Sequence, residues 1–142
     1  MKNILRRKRR GQGMVEAAIV LPILFLVILC GLDALQVYIA HYTVNQAARV
    51  AAHQAALLGG YDQSVADIAA TTLNSGIFTN AASMVISGGC GSAPDYRRAC
   101  RRYDAITIKI IYTSQVFVPF GPFNQFTVTR YATRAAEQDA SE

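Results

Sequence analysis

The hydrophobic pattern separates a long apolar segment near the N-terminus from a more mixed remainder. Residues 17–32 contain no charged side chain, and the mostly uncharged residues around them extend the apolar segment to about 15–39. A helix needs about 20 residues, at about 1.5 Å each, to cross the hydrocarbon core of a bilayer. The pattern therefore predicts one transmembrane helix over about 15–39.

The helical pattern continues beyond this span. Apolar residues then recur at every third or fourth position, which is typical of an amphipathic helix. They form a stripe of mostly small side chains: Val37, Ala40, Val44, Ala47, Ala48, Ala51, Ala55 and Leu58. We therefore expect one helix from about Met14 to Leu58, within a segment assigned to 12–58, that ends at Gly59 and Gly60. It would be roughly 65–70 Å long, so its second half must leave the bilayer.

The rest of the chain has the pattern of one small α+β domain, assigned to 61–135 and followed by a polar tail at 136–142. A second helix is predicted at Asp62–Leu73. Alternating or β-branched runs predict three strands, at Ala82–Ser87, Ala105–Val118 and Phe126–Ala132. We expect a three-stranded antiparallel sheet that is covered by the alanine stripe and the second helix.

The turn before the last strand is unusually aromatic. Residues 119–122 (PFGP) cannot continue a strand. Four phenylalanines surround this turn: Phe117, Phe120, Phe123 and Phe126. They either fold back over a thin core or form an exposed knob for a partner subunit or the outer membrane surface.

The positive charge of the chain is concentrated in a leader, residues 1–11. This leader holds six of the fourteen basic residues and no acid, whereas residues 12–142 carry eight basic and nine acidic residues. Lysine and arginine beside a span are retained on the cytoplasmic side, which predicts a cytoplasmic N-terminus and an extracytoplasmic domain. The distribution argues against nucleic acid as a partner.

Glu16 is the acidic residue at the start of the apolar segment. A carboxylate in or near hydrocarbon costs about 2.5–3.5 kcal/mol at central positions and usually has a function. One interpretation places Glu16 in the headgroup zone, where it favours the helix N-terminus. The other pairs it with a cation, and cleavage after Gly11 would supply one, because the new amino group of Gln12 would lie about one helical turn away.

Three short runs carry a resemblance to a known family: GQGMVEAA at 11–18, Leu21-Pro22, and VNQAAR at 44–49. The first resembles a class III prepilin leader, and together they resemble the TadE-like (TadE, TadF and TadG) pseudopilins of Tad/Flp pili. The resemblance covers roughly residues 10–55.

The resemblance implies a pilin-like fold and cleavage between Gly11 and Gln12 by a prepilin peptidase at the inner membrane. It further implies that Glu16 sets the register between subunits by meeting a neighbour's N-terminal amine. Pro22 would be either a passive kink or a residue used in peptidase access or subunit packing. The implied partners are other pilin or pseudopilin subunits and the Tad assembly machinery, in pilus biogenesis, adhesion or surface attachment.

The cysteines predict a disulfide outside the cytoplasm. Cys90 and Cys100 flank a Gly-, Ser- and Arg-rich loop that a disulfide between them would close. The alternative to this disulfide is that both cysteines are free thiols. Arg97, Arg98, Arg101 and Arg102 are expected to form a solvated loop face. We expect no metal site, no cofactor and no small-molecule substrate, because no ligand cluster, phosphate-binding loop or nucleophile motif is present.

Two function classes follow from the sequence. The first is a structural assembly subunit of a Tad-type pilus, held in the inner membrane by a single span with a periplasmic domain and processed after Gly11. The second is an unprocessed bitopic envelope protein whose outer domain binds a partner. An enzyme is not expected.

Overall fold

The computed structural model describes residues 4–91, 99–120 and 123–139, and their side chains over 13–91, 99–117 and 124–139. The elements are α1 (Ile4–Leu58), α2 (Gln63–Asn74), a short 3-10 turn (Ala81–Ser83), β1 (Met84–Cys90), β2 (Ala105–Phe120) and β3 (Phe123–Ala135). The strands form one antiparallel sheet in the order β1-β2-β3. The predicted α+β class, with a long helix, a second short helix and three antiparallel strands, is confirmed.

Helix α1 begins earlier than expected and ends where expected. It starts at Ile4 rather than Met14, because the arginines and lysines of the leader are themselves good helix formers. At the other end Gly59 has a φ of 69°, and the Gly60 N–H donates to the Ala55 carbonyl at 2.9 Å. This is the Schellman arrangement, in which a left-handed glycine satisfies the last carbonyls of a helix.

The alanine-rich half of α1 is the centre of the hydrophobic core. Its fully buried residues are Ala40, Val44, Ala47, Ala48, Ala51, Ala52, Ala55 and Ala56. Two members of the predicted stripe lie outside the core, since Leu58 is 39% exposed and Val37 is half-buried. The buried face is wider than one stripe because both α2 and the sheet pack on α1. Small side chains allow both elements to approach the helix closely.

The sheet covers α1 with alternate residues of its strands. Ile106, Ile108, Ile110 and Tyr112 of β2 are buried, as their spacing predicted. The opposite face is polar, and two threonine pairs bridge β2 and β3 there through their hydroxyls: Thr107 with Thr133 at 3.0 Å and Thr113 with Thr127 at 3.2 Å. One face therefore packs on the core and the other faces solvent, as is common in antiparallel sheets.

The strand boundaries differ from the predicted ones. The first strand begins at Met84 rather than Ala82, because Asn80 caps a 3-10 turn by accepting from the Ala82 N–H at 2.9 Å. It then continues to Cys90, since Gly88 and Gly89 pair with β2. The second and third strands are also longer than predicted, because residues 105–115 pair one to one with residues 125–135. Beyond an irregular stretch Phe120 pairs with Phe123, so β2 extends past Pro119, which the sequence had assigned to the turn.

Helix α2 and the segment after β3 complete the domain. Helix α2 begins after Asp62, as expected, and buries Val65, Ala69 and Leu73. After β3, Ala136 is buried and the Glu137 N–H donates to the Ala56 carbonyl at 2.9 Å. The start of the predicted polar tail is thus attached to the far end of α1.

Gly88 in β1 allows a close approach between strands, and its substitution should weaken the domain. A Cβ at this position would lie 2.8 Å from the Thr107 carbonyl oxygen, which is backbone and cannot rotate away. We expect Gly88→Ala to destabilise the domain by about 1–3 kcal/mol through overpacking, measured by thermal unfolding in detergent. Gly31→Ala is the control, because a Cβ there meets nothing within 4 Å. Equal melting temperatures for the two variants would contradict the expectation.

Candidate processing and assembly site

The first half of α1 presents an apolar surface that the chain itself does not cover. Every side chain from Gly13 to Ile28 is exposed. Among the described residues one helix segment, Gly13–Leu58, is long and apolar enough to cross a membrane, and none of its most apolar stretch is buried. The large exposed side chains at the start of this surface are Met14, Val15, Ile19, Val20, Leu21, Ile23, Leu24 and Phe25. Such a surface needs lipid or protein around it.

Glu16 is exposed on this apolar surface, one helical turn from Gln12. Four residues of helix correspond to a rise of about 6 Å. The bond between Gly11 and Gln12 lies within the backbone of α1, whereas the side chains of both residues lie outside the described part of the chain. The backbone thus places the predicted cleavage site and the carboxylate on neighbouring turns of one helix.

Pro22 lies inside α1 and is exposed. A proline has no N–H, so the Ala18 carbonyl has no partner from residue 22 within the helix. The helix nevertheless continues through this position. Both interpretations of Pro22, a passive kink and a role in processing or packing, remain hypotheses.

Two polar side chains connect α1 to the β2–β3 hairpin at the end of the apolar segment. The Asp33 carboxylate accepts a hydrogen bond from the Phe117 N–H at 3.0 Å. The Gln36 amide, which is buried, donates to the Gln115 carbonyl at 2.8 Å. Sequence reasoning missed this junction, although the first two polar side chains after the uncharged run 17–32, Asp33 and Gln36, lie three residues apart on one helix face.

His41 lies on α1 and faces the last strand. Its Nδ1 is 2.7 Å from an Arg130 guanidinium nitrogen, and because a guanidinium group can only donate, His41 accepts this hydrogen bond. The bond connects α1 to β3. Among the described residues there is no group of three or more His, Cys, Asp or Glu that could hold a metal ion.

Cys90 and Cys100 form a disulfide, with a Cα–Cα distance of 5.7 Å. Both residues are buried in the core cluster. The bridge connects the end of β1 to the segment before β2, and Cys100 also donates its N–H to the Gly59 carbonyl at 2.9 Å. Arg101 and Arg102 are exposed as expected, whereas Arg97 and Arg98 lie outside the described residues.

Removing this disulfide should destabilise the domain. In the chain-entropy model, a bridge between residues 10 apart in sequence is worth about 3 kcal/mol. We expect the double variant Cys90→Ser/Cys100→Ser to lose that amount, measured by denaturant unfolding in detergent. Cys30→Ser is the matched control, because Cys30 is a free, exposed cysteine on the apolar surface of α1. An unchanged midpoint in the double variant would show that the bridge adds no stability.

The four phenylalanines of the hairpin do not share one environment. Phe126 is half-buried, and its ring is 6.5 Å from that of Tyr112 in the core. Phe117 is 60% exposed and contacts Phe78 edge to face, at 5.7 Å between ring centroids. The side chains of Phe120 and Phe123 lie outside the described residues, as do Gly121 and Pro122 of the predicted turn. Phe126 thus folds back over the core, as the first interpretation of the turn expected, whereas Phe117 does not.

Comparison with known proteins agrees with the motifs at the N-terminus. Residues 11–53 match the model of a family described as TadE-like protein. No curated protein and no solved structure matches the chain. The matched residues are the apolar first half of α1 and most of its buried alanine-rich half. The family indicates a structural component of a Tad-type pilus, and one long apolar helix fits a single-pass membrane protein.

Proposed function

We propose that this chain is a minor pseudopilin, a subunit that supports assembly of a Tad-type pilus and surface attachment through that pilus. The match of residues 11–53 to the TadE-like family supports this proposal. The chain is inserted in the inner membrane by the first half of α1 and processed after Gly11 by a prepilin peptidase. The observation that carries this proposal is the exposed apolar surface of α1, with Glu16 one turn from the cleavage site.

The orientation follows from the charges on either side of the span. Residues 1–11 carry six basic side chains, whereas no lysine or arginine occurs between residues 11 and 48. The positive-inside rule then places the leader in the cytoplasm and the domain formed by α2 and the sheet in the periplasm. A peptidase acting from the cytoplasmic side would meet the bond after Gly11 next to the membrane.

The composition around the scissile bond favours local opening of the helix. Gly11 and Gly13 lie on either side of Gln12 inside α1. Each glycine weakens a helix by about 1 kcal/mol relative to alanine. A peptidase must bind an extended backbone, and two glycines beside the bond make this turn of α1 easier to unwind than a turn with alanine at both positions.

Glu16 acts after cleavage in this proposal. The new amino group of Gln12 is a cation about one turn away on the same helix or on a neighbouring subunit. A charge pair in hydrocarbon adds little net stability, but an unpaired carboxylate there is expensive. Subunits would therefore pack in the register that brings a carboxylate and an amine together.

Assembly contacts would use the first half of α1. The alanine-rich face of the second half is buried under the chain's own sheet and α2, with Ala40, Ala48 and Ala55 fully covered. The first half exposes large apolar side chains to whatever surrounds it. A neighbouring subunit in a filament would replace lipid around that surface without disturbing the fold.

The mass of the intact protein from its native membrane tests the proposal. We expect a chain that begins at Gln12, with residues 1–11 removed. A chain that keeps Met1 in every molecule would support the alternative, an unprocessed bitopic envelope protein whose outer domain binds a partner. Processing by a co-expressed prepilin peptidase, compared with a strain that lacks it, identifies the enzyme responsible.

A further inference from the structure

The hydrogen bond between Asp33 and the Phe117 N–H sets the height of the domain above the bilayer. Glu16 and Asp33 are the acidic residues on either side of the uncharged run 17–32, and their separation of 17 positions corresponds to about 26 Å of helix. The hydrocarbon core of a bilayer is about 30 Å thick. With Glu16 at one edge of the hydrocarbon, Asp33 lies at the opposite edge, and the hairpin is attached to the helix at that level.

An exposed aromatic side chain lies at this same level. Phe117 is 60% exposed, and its ring contacts that of Phe78, a half-buried residue of the loop after α2. We define these two residues, Phe78 and Phe117, as the apolar rim. Ile77 is 83% exposed but is not part of the rim, because its neighbour Gly76 lies beside Thr43, about 15 Å beyond Asp33 along α1. Exposed phenylalanine side chains are unfavourable in water but favourable at the boundary between headgroups and acyl chains.

Further residues on α1 agree with this height. Leu32 and Leu35 are exposed beside Asp33, whereas Tyr38 is exposed about 7.5 Å further along the axis, within the headgroup layer. Tyrosines are enriched at the headgroup level, where one end of the ring is wet and the other apolar. The change from exposed leucine to exposed tyrosine marks the same boundary that the hairpin reaches.

We infer that the apolar rim inserts into the outer leaflet of the bilayer that α1 spans, so that the domain rests on the membrane in a fixed orientation. The occupant is lipid because the rim is continuous with the membrane-spanning surface of α1 through the Asp33 junction. This inference depends on the membrane insertion proposed above. It adds a second membrane contact, which must be withdrawn when the subunit leaves the bilayer for a filament.

The chain contains no tryptophan, so single tryptophans report depth without background. Three variants are reconstituted in vesicles of phosphatidylcholine and phosphatidylglycerol whose acyl chains are brominated either near the headgroup or near the methyl end. Phe117→Trp reports the rim and Phe25→Trp the middle of the span. Tyr103→Trp is the matched aromatic control, because Tyr103 is 75% exposed near Ala136, at the level of Ala56 and about 35 Å beyond Asp33.

We expect Phe117→Trp to have blue-shifted emission and to lose fluorescence most strongly with bromine near the headgroup. Phe25→Trp should be quenched most by bromine near the methyl end, and Tyr103→Trp by neither lipid. Phe78→Trp is a second rim variant, in case Phe117→Trp fails to form the Cys90–Cys100 disulfide. A folded rim variant that is as unquenched as Tyr103→Trp overturns the inference.

The same measurements separate failure of the inference from failure of the proposed function. If Phe25→Trp is quenched and Phe117→Trp is not, α1 spans the bilayer but the apolar rim does not contact lipid. This result overturns the inference and leaves the proposed function standing. No quenching at Phe25→Trp removes the span itself and the inference with it. A rim tryptophan that is shielded from water, but unquenched by lipid and sensitive to protein density, would mean that a second copy of the chain covers the rim, which also overturns the inference.

Discussion

Gly11→Ile should leave the protein at full length in its native membrane. The residue before the scissile bond must let a peptidase approach the backbone closely, and glycine is the residue that permits this. A β-branched side chain there blocks the approach and also stiffens the backbone that has to be extended. We expect the intact mass to include residues 1–11 in all molecules, and the protein to accumulate in the membrane without entering filaments.

Gly31→Ile is the control for this variant. It adds the same side chain to the same helix, at a position where a Cβ meets nothing within 4 Å. This chain should be processed normally, because Gly31 lies near the opposite end of the span from the leader. Removal of residues 1–11 from the Gly11→Ile protein would contradict the assignment of the cleavage site.

Glu16→Ala should uncouple processing from assembly. The scissile bond is four residues away, so the intact mass should still show a chain that begins at Gln12. The variant loses the carboxylate that would neutralise the new amino group, and an unpaired cation in hydrocarbon costs several kcal/mol. We expect processed protein in the membrane and a loss of assembled filaments, measured by electron microscopy and by the pelletable fraction sheared from cells.

Two further variants sharpen this experiment. Glu16→Gln keeps the size of the side chain and removes its charge, so it should fail in the same way if charge pairing sets the register. Glu137→Ala is the matched loss of a glutamate, because Glu137 is exposed on the outer domain, and it should assemble normally. Filaments formed at wild-type levels by Glu16→Gln would show that charge pairing is not what Glu16 contributes.

Much of the fold was predictable because it depends on local periodicity. The spacing of three and four residues in α1 and the alternation from Ile106 to Tyr112 are properties of neighbouring residues, and the structure confirms both. The end of α1 at Gly59 was also predictable, since a glycine that adopts a positive φ commonly ends a helix. The disulfide between Cys90 and Cys100 is present, as expected from two cysteines that flank one loop.

The boundaries of the elements were less predictable, because they depend on partners. The first strand begins at Met84 because Asn80 caps the preceding turn, and it continues to Cys90 because β2 supplies hydrogen bonds to two glycines. Glycine is unfavourable in strands when judged alone, which is why the sequence indicated an earlier end. Likewise Ala52 and Ala56 are buried because α1 has two neighbours, which its own periodicity does not reveal.

The candidate site also has one part that neighbouring residues of the sequence predict and another part that only the fold brings together. Gly11, Gln12, Glu16 and Pro22 lie within one stretch of helix, so their spacing along the sequence is also their spacing along the axis. Their roles in cleavage and register remain predictions that rest on that spacing. The apolar rim, in contrast, combines a residue of the loop after α2 with a residue of β2, and no run of sequence contains it.

The sequence by itself determined that the chain carries one long apolar helix with a basic leader and a single acid at its start, because charge and hydropathy act locally. Only the tertiary structure decided where the domain formed by α2 and the sheet sits on that helix. Asp33 and the Phe117 N–H are 84 residues apart in the chain and form one hydrogen bond. That contact exists because the buried faces of the sheet and of the second half of α1 align these two elements, which is a property of packing between distant segments.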